Sequence, residues 1–330
     1  MDEVRFDILG IGNAMVDVVA QVDNSFLSRH DMLKGTMILV DAEQADAVYA
    51  AMPPGEESSG GSAGNTCAVA AALGARVAYL GKVAMDQLGA VFRHDISAAG
   101  VHFPSAPLIG GAPTARCLVL VTPDGQRTMN TYLGACVSFG EADVDETLVA
   151  DSAITYLEGY LFDPPAAQAA FRRAAATAHA AGRQVALSLS DAFCVDRHRA
   201  AFRDLVTRDV DVLFANEAEI TSLYEENTFD AAAEAARRDV ALAVLTRSEA
   251  GSVILRGTET VEVEAEPTRV LDTTGAGDAY AAGFLTGLTA GRSLPVCGRM
   301  GAIAAAEVIS HYGARPEADL KRLVQHSLSR

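Results

Sequence analysis

The sequence predicts an α/β fold: a doubly wound, mostly parallel sheet flanked by helices, with a small β-sheet lid attached. Three observations lead there. Short β-branched runs alternate with Ala-rich helical stretches along most of the chain, and strand–helix–strand repetition builds a parallel sheet covered on both faces. Two segments interrupt that rhythm with strand-like runs of their own. The 330 residues are half apolar, enough for one large core, and no internal repeat, low-complexity linker or clean domain boundary divides them.

From the N-terminus, residues 6–11 read as the first core strand. Residues 15–52 leave the core, with strand-like runs at 16–22 and 36–40. A helix at 65–73, a strand at 77–81 and a helix at 89–99 follow. Residues 112–133 read as strand, Asp124-Gly125 turn, strand, a hairpin signature. The alternation resumes with a strand at 154–157, a helix at 166–181, strands at 185–189 and 212–215, a helix at 217–224 and a strand at 241–246. Residues 276–328 read as three helices broken at 291–294 and 313–316, where glycine and proline punctuate the pattern. Both interruptions lie between core elements. Insertions at about 15–52 and 105–135 are therefore expected to form an antiparallel lid over a site, within a single domain spanning 1–330.

A formal charge of −17 argues against a nucleic-acid groove or an anionic membrane surface, since neither tolerates a strongly acidic partner. No apolar run reaches the ~18 residues of a membrane-spanning helix. The cysteines at 67, 117, 136, 194 and 297 are scattered and odd in number, which suits reduced thiols better than a disulfide framework. The N-terminal Met1-Asp2-Glu3-Val4-Arg5-Phe6-Asp7 is acidic and runs straight into a strand, without the parts of a signal peptide. A cytoplasmic protein is expected.

The most informative stretch is Asp272-Thr273-Thr274-Gly275-Ala276-Gly277-Asp278, followed by an apolar run. A glycine-rich turn opening a helix aims backbone N–H groups and the positive end of the helix dipole at one point, where an anion sits well. A carboxylate facing the same point suggests a base beside a transferring phosphoryl group. In the bland alternative Thr273, Thr274 and Asp278 only cap the helix. No Walker A pattern occurs, and no lysine lies nearby, so N–H dipoles and a metal ion would have to neutralise the phosphate.

Gly10-Ile11-Gly12 follows the first strand, but the third glycine of a dinucleotide fingerprint would be Met15, so that reading fails. Asn13 and Asp17 are polar residues beyond an apolar strand, where the crevice of an open α/β sheet lies. They would hold a diol together only if the chain bends after Asn13, because four residues of straight strand span ~13 Å. The alternative is a strand-end Asn and an exposed Asp. Gly60-Gly61-Ser62-Ala63-Gly64-Asn65 is a second glycine-rich helix start, for sugar or phosphate contact or as a flexible loop with an Asn cap. Asn216 and Glu219 have capping-box spacing; they also suit ordering the waters of a magnesium ion. The seven histidines show no metal-ligand spacing.

With these pieces together, the chain resembles the ribokinase-like (PfkB-type) carbohydrate kinase family from end to end. The resemblance rests on 272–278, on the 60–65 loop continuing to Gly81-Lys-Val-Ala-Met-Asp-Gln-Leu-Gly89, and on 216–219. Asn13 to Asp17, Met37-Ile-Leu-Val40 and Arg127-Thr-Met-Asn-Thr-Tyr-Leu-Gly134 are similar to the adenosine-kinase branch, as is the i to i+4 spacing of Asn13 and Asp17. The resemblance implies phosphorylation of the adenosine 5′-hydroxyl by ATP in purine salvage. Asp278 would take the hydroxyl proton, and Gly275, Ala276 and Gly277 would form an anion hole. Asp17 with Asn13, Gly61, Ser62 and Asn65 would bind the ribose hydroxyls, Leu39 and Met129 would pack on the purine, and Arg127 would reach the phosphate when the lid shuts.

On the nucleotide side the resemblance implies Thr246 and Gly251 near the ATP ribose and phosphates, together with Thr273. Asn216 and Glu219 would hold Mg²⁺ through water. In some relatives carbonyls near Asp272 and Thr274 also hold K⁺. The partners implied are a nucleoside and ATP, for a monomer or a homodimer. Alternatives are a kinase for another nucleoside or a sugar of the ribose or fructose type, or a non-catalytic nucleoside sensor.

Overall fold

The computed structural model describes residues 4–329; residues 1–3, part of the acidic stretch expected to lead into the first strand, lie outside the described residues. In chain order the strands are β1 (Phe6–Ile11), β2 (Met15–Gln21), β3 (Met37–Leu39), β4 (Glu56–Gly60), β5 (Val77–Leu80), β6 (Val101–His102) and β7 (Ala115–Val121). They continue as β8 (Arg127–Tyr132), β9 (Ser152–Glu158), β10 (Gln184–Ser188), β11 (Val212–Asn216), β12 (Leu242–Thr246), β13 (Ser252–Arg256) and β14 (Glu259–Val263).

Nine of them form one sheet in the order β14-β13-β12-β11-β10-β9-β1-β5-β6. From β12 to β6 the neighbours are parallel, and only β13 and β14 turn back antiparallel. β1 is apolar at every position but Asp7 and splits its side chains between two cores. Ile8 enters one face with the helices Ser62–Ala72, Ala276–Thr289 and Leu294–Val308; Phe6, Leu9 and Ile11 enter the other with Pro165–Ala180 and Ala192–Asp209. A sheet buried on both faces is what its near-continuous apolar strands require. The fold is the doubly wound, mostly parallel α/β architecture that the sequence predicts.

The other five strands form a smaller sheet, β3-β8-β7-β2-β4. It is mixed rather than antiparallel: β2 pairs β7 and β3 pairs β8 in parallel, while β2–β4 and β7–β8 are antiparallel. β7 and β8 make the expected hairpin, closed where Gly125 donates to the Thr122 carbonyl at 2.8 Å. β4 lies outside both segments that the sequence singles out. Its residues Glu-Glu-Ser-Ser-Gly have low β-propensity and pair only because β2 offers an open edge. The helix after it begins at Ser62 rather than Asn65.

On the second core face, Phe162 stacks on Phe202 with ring centroids 4.4 Å apart, and Phe171 lies 5.7 Å from Phe162. All three rings are fully buried, and they join the Pro165–Ala180 and Ala192–Asp209 helices. Phe202→Ala is expected to lower stability by about 3–5 kcal/mol, measured by urea denaturation.

Candidate active site

β1 and β9 run side by side in parallel, with β5 on one flank and β10 on the other. In an open α/β sheet, ligands bind beyond the C-terminal strand ends at such a reversal of strand order. A cleft of about 2020 Å³ opens there between the large sheet and the smaller one.

After Ile11 the chain bends through Gly12, Asn13 and Ala14 and enters β2 at Met15. A bend here is what Asn13 and Asp17 would need in order to hold one diol together. Asn13 is 3% exposed, and its backbone N–H and Nδ2 donate to Glu158 Oε1 at 3.3 and 2.9 Å. Glu158 Oε2 accepts from the Ala63 N–H at 2.8 Å. Burial pushes the Glu158 carboxyl up to about 7, against these hydrogen bonds. The sequence reading passes over Glu158, although a carboxylate ending a core parallel strand is itself a crevice signal. Asp17, half-buried on β2, is pushed up to about 6 by burial; Arg315 and Arg127 oppose the shift and Asp278 adds to it.

Gly61 caps the Ser62–Ala72 helix with φ +84°, and a Cβ there would lie 2.1 Å from the Asn13 carbonyl oxygen. Only glycine meets both demands. Asn65 sits inside the helix, 6% exposed, so it is not a cap. Its Nδ2 donates to Asp278 Oδ2 at 3.3 Å, and Ser62 Oγ donates to Oδ1 at 2.6 Å. Asp278 lies in the first turn of Ala276–Thr289, whose cap is Gly275 at φ +76° with no side-chain bond. Its carboxylate therefore reaches across to another helix instead of capping its own. Burial pushes it up to about 6, while the bonds from Ser62 and Asn65 and the charge of Arg315 pull the other way. Ala276 N–H donates to the Thr273 carbonyl at 3.2 Å, a turn bond that competes with anion binding there. A Cβ on Gly277 would meet nothing within 4 Å, so this part of the turn is open.

Asp272 is 8% exposed. Its Oδ1 accepts from Thr274 N and Oγ1 at 3.1 and 2.8 Å, and its Oδ2 accepts from Gly313 N at 2.9 Å. Oδ2 also forms an ion pair with Arg127, whose Nη1 donates to Thr274 Oγ1 at 3.2 Å. Arg127 opens β8, so this pair ties the smaller sheet to the glycine turn. With Arg127, Thr274 and Gly313 as its partners, the Asp272 carboxylate is already neutralised and hydrogen-bonded without a cation.

On the far side of the cleft, Asn216 ends β11 and caps Glu217–Tyr224 with a complete capping box. Asn216 N and Nδ2 donate to the Glu219 carboxylate at 3.0 and 2.6 Å, and Glu219 N donates to Asn216 Oδ1 at 2.9 Å. Burial pushes Glu219 up to about 7, helped by Asp191 and Asp278. Both Glu219 oxygens accept from Asn216, and among the described residues no group of three or more His, Cys, Asp or Glu could hold a metal ion, so a divalent cation would meet these side chains only through water. Thr246 pairs with Asn216 in register. Thr246, Gly251 and Thr273 line the same cleft as Asp17 and Asp278. Leu39 on β3 and Met129 on β8 line it too, and Leu39 is 56% exposed.

A model of the pfkB family of carbohydrate kinases matches residues 35–320. The chain is 53% identical to the adenosine kinase of Sinorhizobium meliloti, over 98% of this chain and 99% of that one, with a TM-score of 0.91. It is 48% identical to a probable sugar kinase of Rhizobium etli CFN 42, at the same coverage and a TM-score of 0.91. The adenosine kinase of Saccharomyces cerevisiae is 29% identical over 92% of this chain and 94% of its own length.

Glu158→Gln replaces one carboxylate oxygen by an amide group among the N–H donors of Asn13 and Ala63. A loss of about 1–3 kcal/mol is expected at pH 5, read as a lower urea midpoint; because the wild-type carboxyl is held above its ordinary value, the wild type loses stability as pH rises through about 7 and the deficit of the variant shrinks toward pH 8.

Proposed function

The chain belongs to the pfkB family of carbohydrate kinases, phosphotransferases that use ATP and an alcohol acceptor, and from that premise we propose that its acceptor is the 5′-hydroxyl of adenosine. One observation carries the reading. Asp278, at a helix N-terminus, is held by Ser62 and Asn65 in the same cleft as Asp17, so a base and a hydroxyl-binding carboxylate share one acceptor site. The likeness to the Sinorhizobium meliloti adenosine kinase supports the choice of nucleoside.

In this mechanism Asp17, Asn13, Gly61 and Asn65 hold the ribose 2′- and 3′-hydroxyls. The Asn13 amide nitrogen is engaged by Glu158, which leaves its oxygen to accept from the sugar. Asp278 takes the 5′-hydroxyl proton as that oxygen bonds to the γ-phosphorus and the bond to the ADP oxygen breaks. N–H groups of Gly275 to Gly277 face the charge on the phosphoryl oxygens. Glu219 and Asn216 would hold Mg²⁺ through water, and the ion would supply further neutralisation of the phosphates. Leu39 and Met129, whose surface is partly uncovered, pack on the purine as the small sheet closes as a lid. Arg127 exchanges Asp272 for the transferring phosphate in the closed form. Cytoplasmic purine salvage is the setting for such a reaction.

Incubation with Mg-ATP and adenosine, inosine, guanosine, ribose or fructose is expected to yield AMP as the main product. Phosphorylation of a sugar with no turnover of adenosine would instead make the chain a sugar kinase, the reading favoured by the Rhizobium etli relative. Asp278→Asn keeps the side-chain shape and removes its basicity. Near-complete loss of turnover is expected with adenosine binding retained, and a variant keeping more than about a tenth of kcat, less than ~1.4 kcal/mol in the barrier, would show that Asp278 is not the base.

The pH dependence follows from the same groups. Asp17 and Asp278 act as carboxylates and are pushed up to about 6, so kcat/KM is expected to fall as pH drops through about 6. A plateau extending below pH 5 would contradict the assignment.

A further inference from the structure

Arg315 lies in the stretch between the Leu294–Val308 and Leu320–Leu328 helices, and its local sequence reads only as a break. Its guanidinium lies in the cleft wall. Nη1 donates to the Gly64 carbonyl at 3.1 Å, and Nη2 donates to Ser59 O and Oγ at 2.5 and 2.9 Å. Ser59 in turn donates from N and Oγ to Asp95 Oδ2 at 2.8 and 2.6 Å. Both segments that Arg315 grips carry parts of the acceptor site. Ser59 precedes Gly60, where a Cβ would fall 2.3 Å from Asp17 Oδ2, so the Asp17 carboxylate rests against that backbone. Gly64 precedes Asn65, whose amide holds Asp278.

The bonds of Arg315 go to carbonyls and a hydroxyl, not to a carboxylate. Its charge is left beside the segments that contact Asp95, Asp17 and Asp278, and these carboxylates act on it in turn. Arg127 differs, being ion-paired with Asp272. The groups facing Asp17 are Arg315, Arg127 and Asp278, with the thiol of Cys117 beside it on β7; that thiol is pushed up to about 12 by burial and stays neutral. Asp278 faces Ser62, Asn65 and Arg315, and it also acts on Glu158 and Glu219. Asp278 adds to the upward shift of Asp17, and interacting carboxylates disfavour ionising together unless a cation offsets them.

We propose that Arg315 is a positioning residue for phosphoryl transfer: it sets β4 and the start of the Ser62–Ala72 helix at working spacing, and its charge keeps Asp17 and Asp278 ionised at once. For its consequence in catalysis this inference rests on the kinase mechanism above; its effect on the two carboxylates does not.

The test compares Arg315→Met, Arg315→Gln and Arg315→Lys with the wild type. The first readout needs no substrate. Asp17 and Asp278 titrate above the values that they have in the unfolded chain, so the folded state binds more protons and stability falls as pH rises through about 4 to 7. Removing the charge of Arg315 raises both groups further. The loss of apo melting temperature between pH 5 and pH 8 is expected to be larger in the Met and Gln variants than in the wild type, and close to wild type in the Lys variant.

The second readout is the acidic limb of kcat/KM with the acceptor that turns over. It is expected to move up by roughly one pH unit in the Met and Gln variants. In the Lys variant the limb stays, while the plateau falls because the planar fork is lost. Arg315→Gln keeps hydrogen-bond donors, so it carries the test if the Met variant does not fold. A stability profile in the folded Met or Gln variant parallel to wild type, with an unmoved acidic limb, would reduce Arg315 to a structural brace and overturn the proposal. Failure of adenosine as acceptor would change the substrate used but not the apo melting profiles.

Discussion

Two helix N-termini meet where Ser62 Oγ donates to Asp278 Oδ1, a bond between residues 216 apart in sequence, and the cleft depends on that meeting. Each helix start is a glycine turn at the positive end of a dipole, and some of its N–H groups are already engaged: Ala63 donates to Glu158 and Ala276 to the Thr273 carbonyl. The two face each other beyond β1 and β9, inside a chain that carries a formal charge of −17. The large sheet makes this possible, because its reversal of strand order at β1 leaves a crevice. The bend from Gly12 to Ala14 then carries the chain into the smaller sheet, which walls the crevice on the side of Asp17.

The electrostatic cost of the arrangement is considerable. Asp17, Asp278, Glu158 and Glu219 are all held above the ordinary carboxylate range, chiefly by burial. A folded state that binds protons more tightly than the unfolded chain loses stability toward neutral pH. Hydrogen bonds from Asn13, Ala63, Ser62 and Asn65 and the charges of Arg315 and Arg127 offset part of that cost. This is the expected signature of a site where charged groups are gathered for chemistry rather than for stability.

The small sheet supplies the contrasting surface. Met37 and Leu39 on β3 are about half exposed, at 47% and 56%, and line the cleft. An apolar wall with a few convergent polar groups is the usual composition of a small-molecule site. The ion pair of Arg127 with Asp272 joins this wall to the glycine turn through one side chain.

The sequence by itself determined the α/β class, the order of the core elements and the 272–278 turn, because each rests on local periodicity or on glycine spacing within a few residues. It also tied a shared diol site at Asn13 and Asp17 to a bend after Asn13, since a straight strand separates i and i+4 too far. Tertiary structure alone decided the rest. β4 pairs through the open edge of β2, not through its own propensity, and the parallel pairing of β2 with β7 joins segments remote in the chain. Glu158 carries only a positional hint, and Arg315 carries none. Their roles come from hydrogen bonds to backbone groups 95 to 256 residues away, and such contacts leave no periodic trace in the sequence.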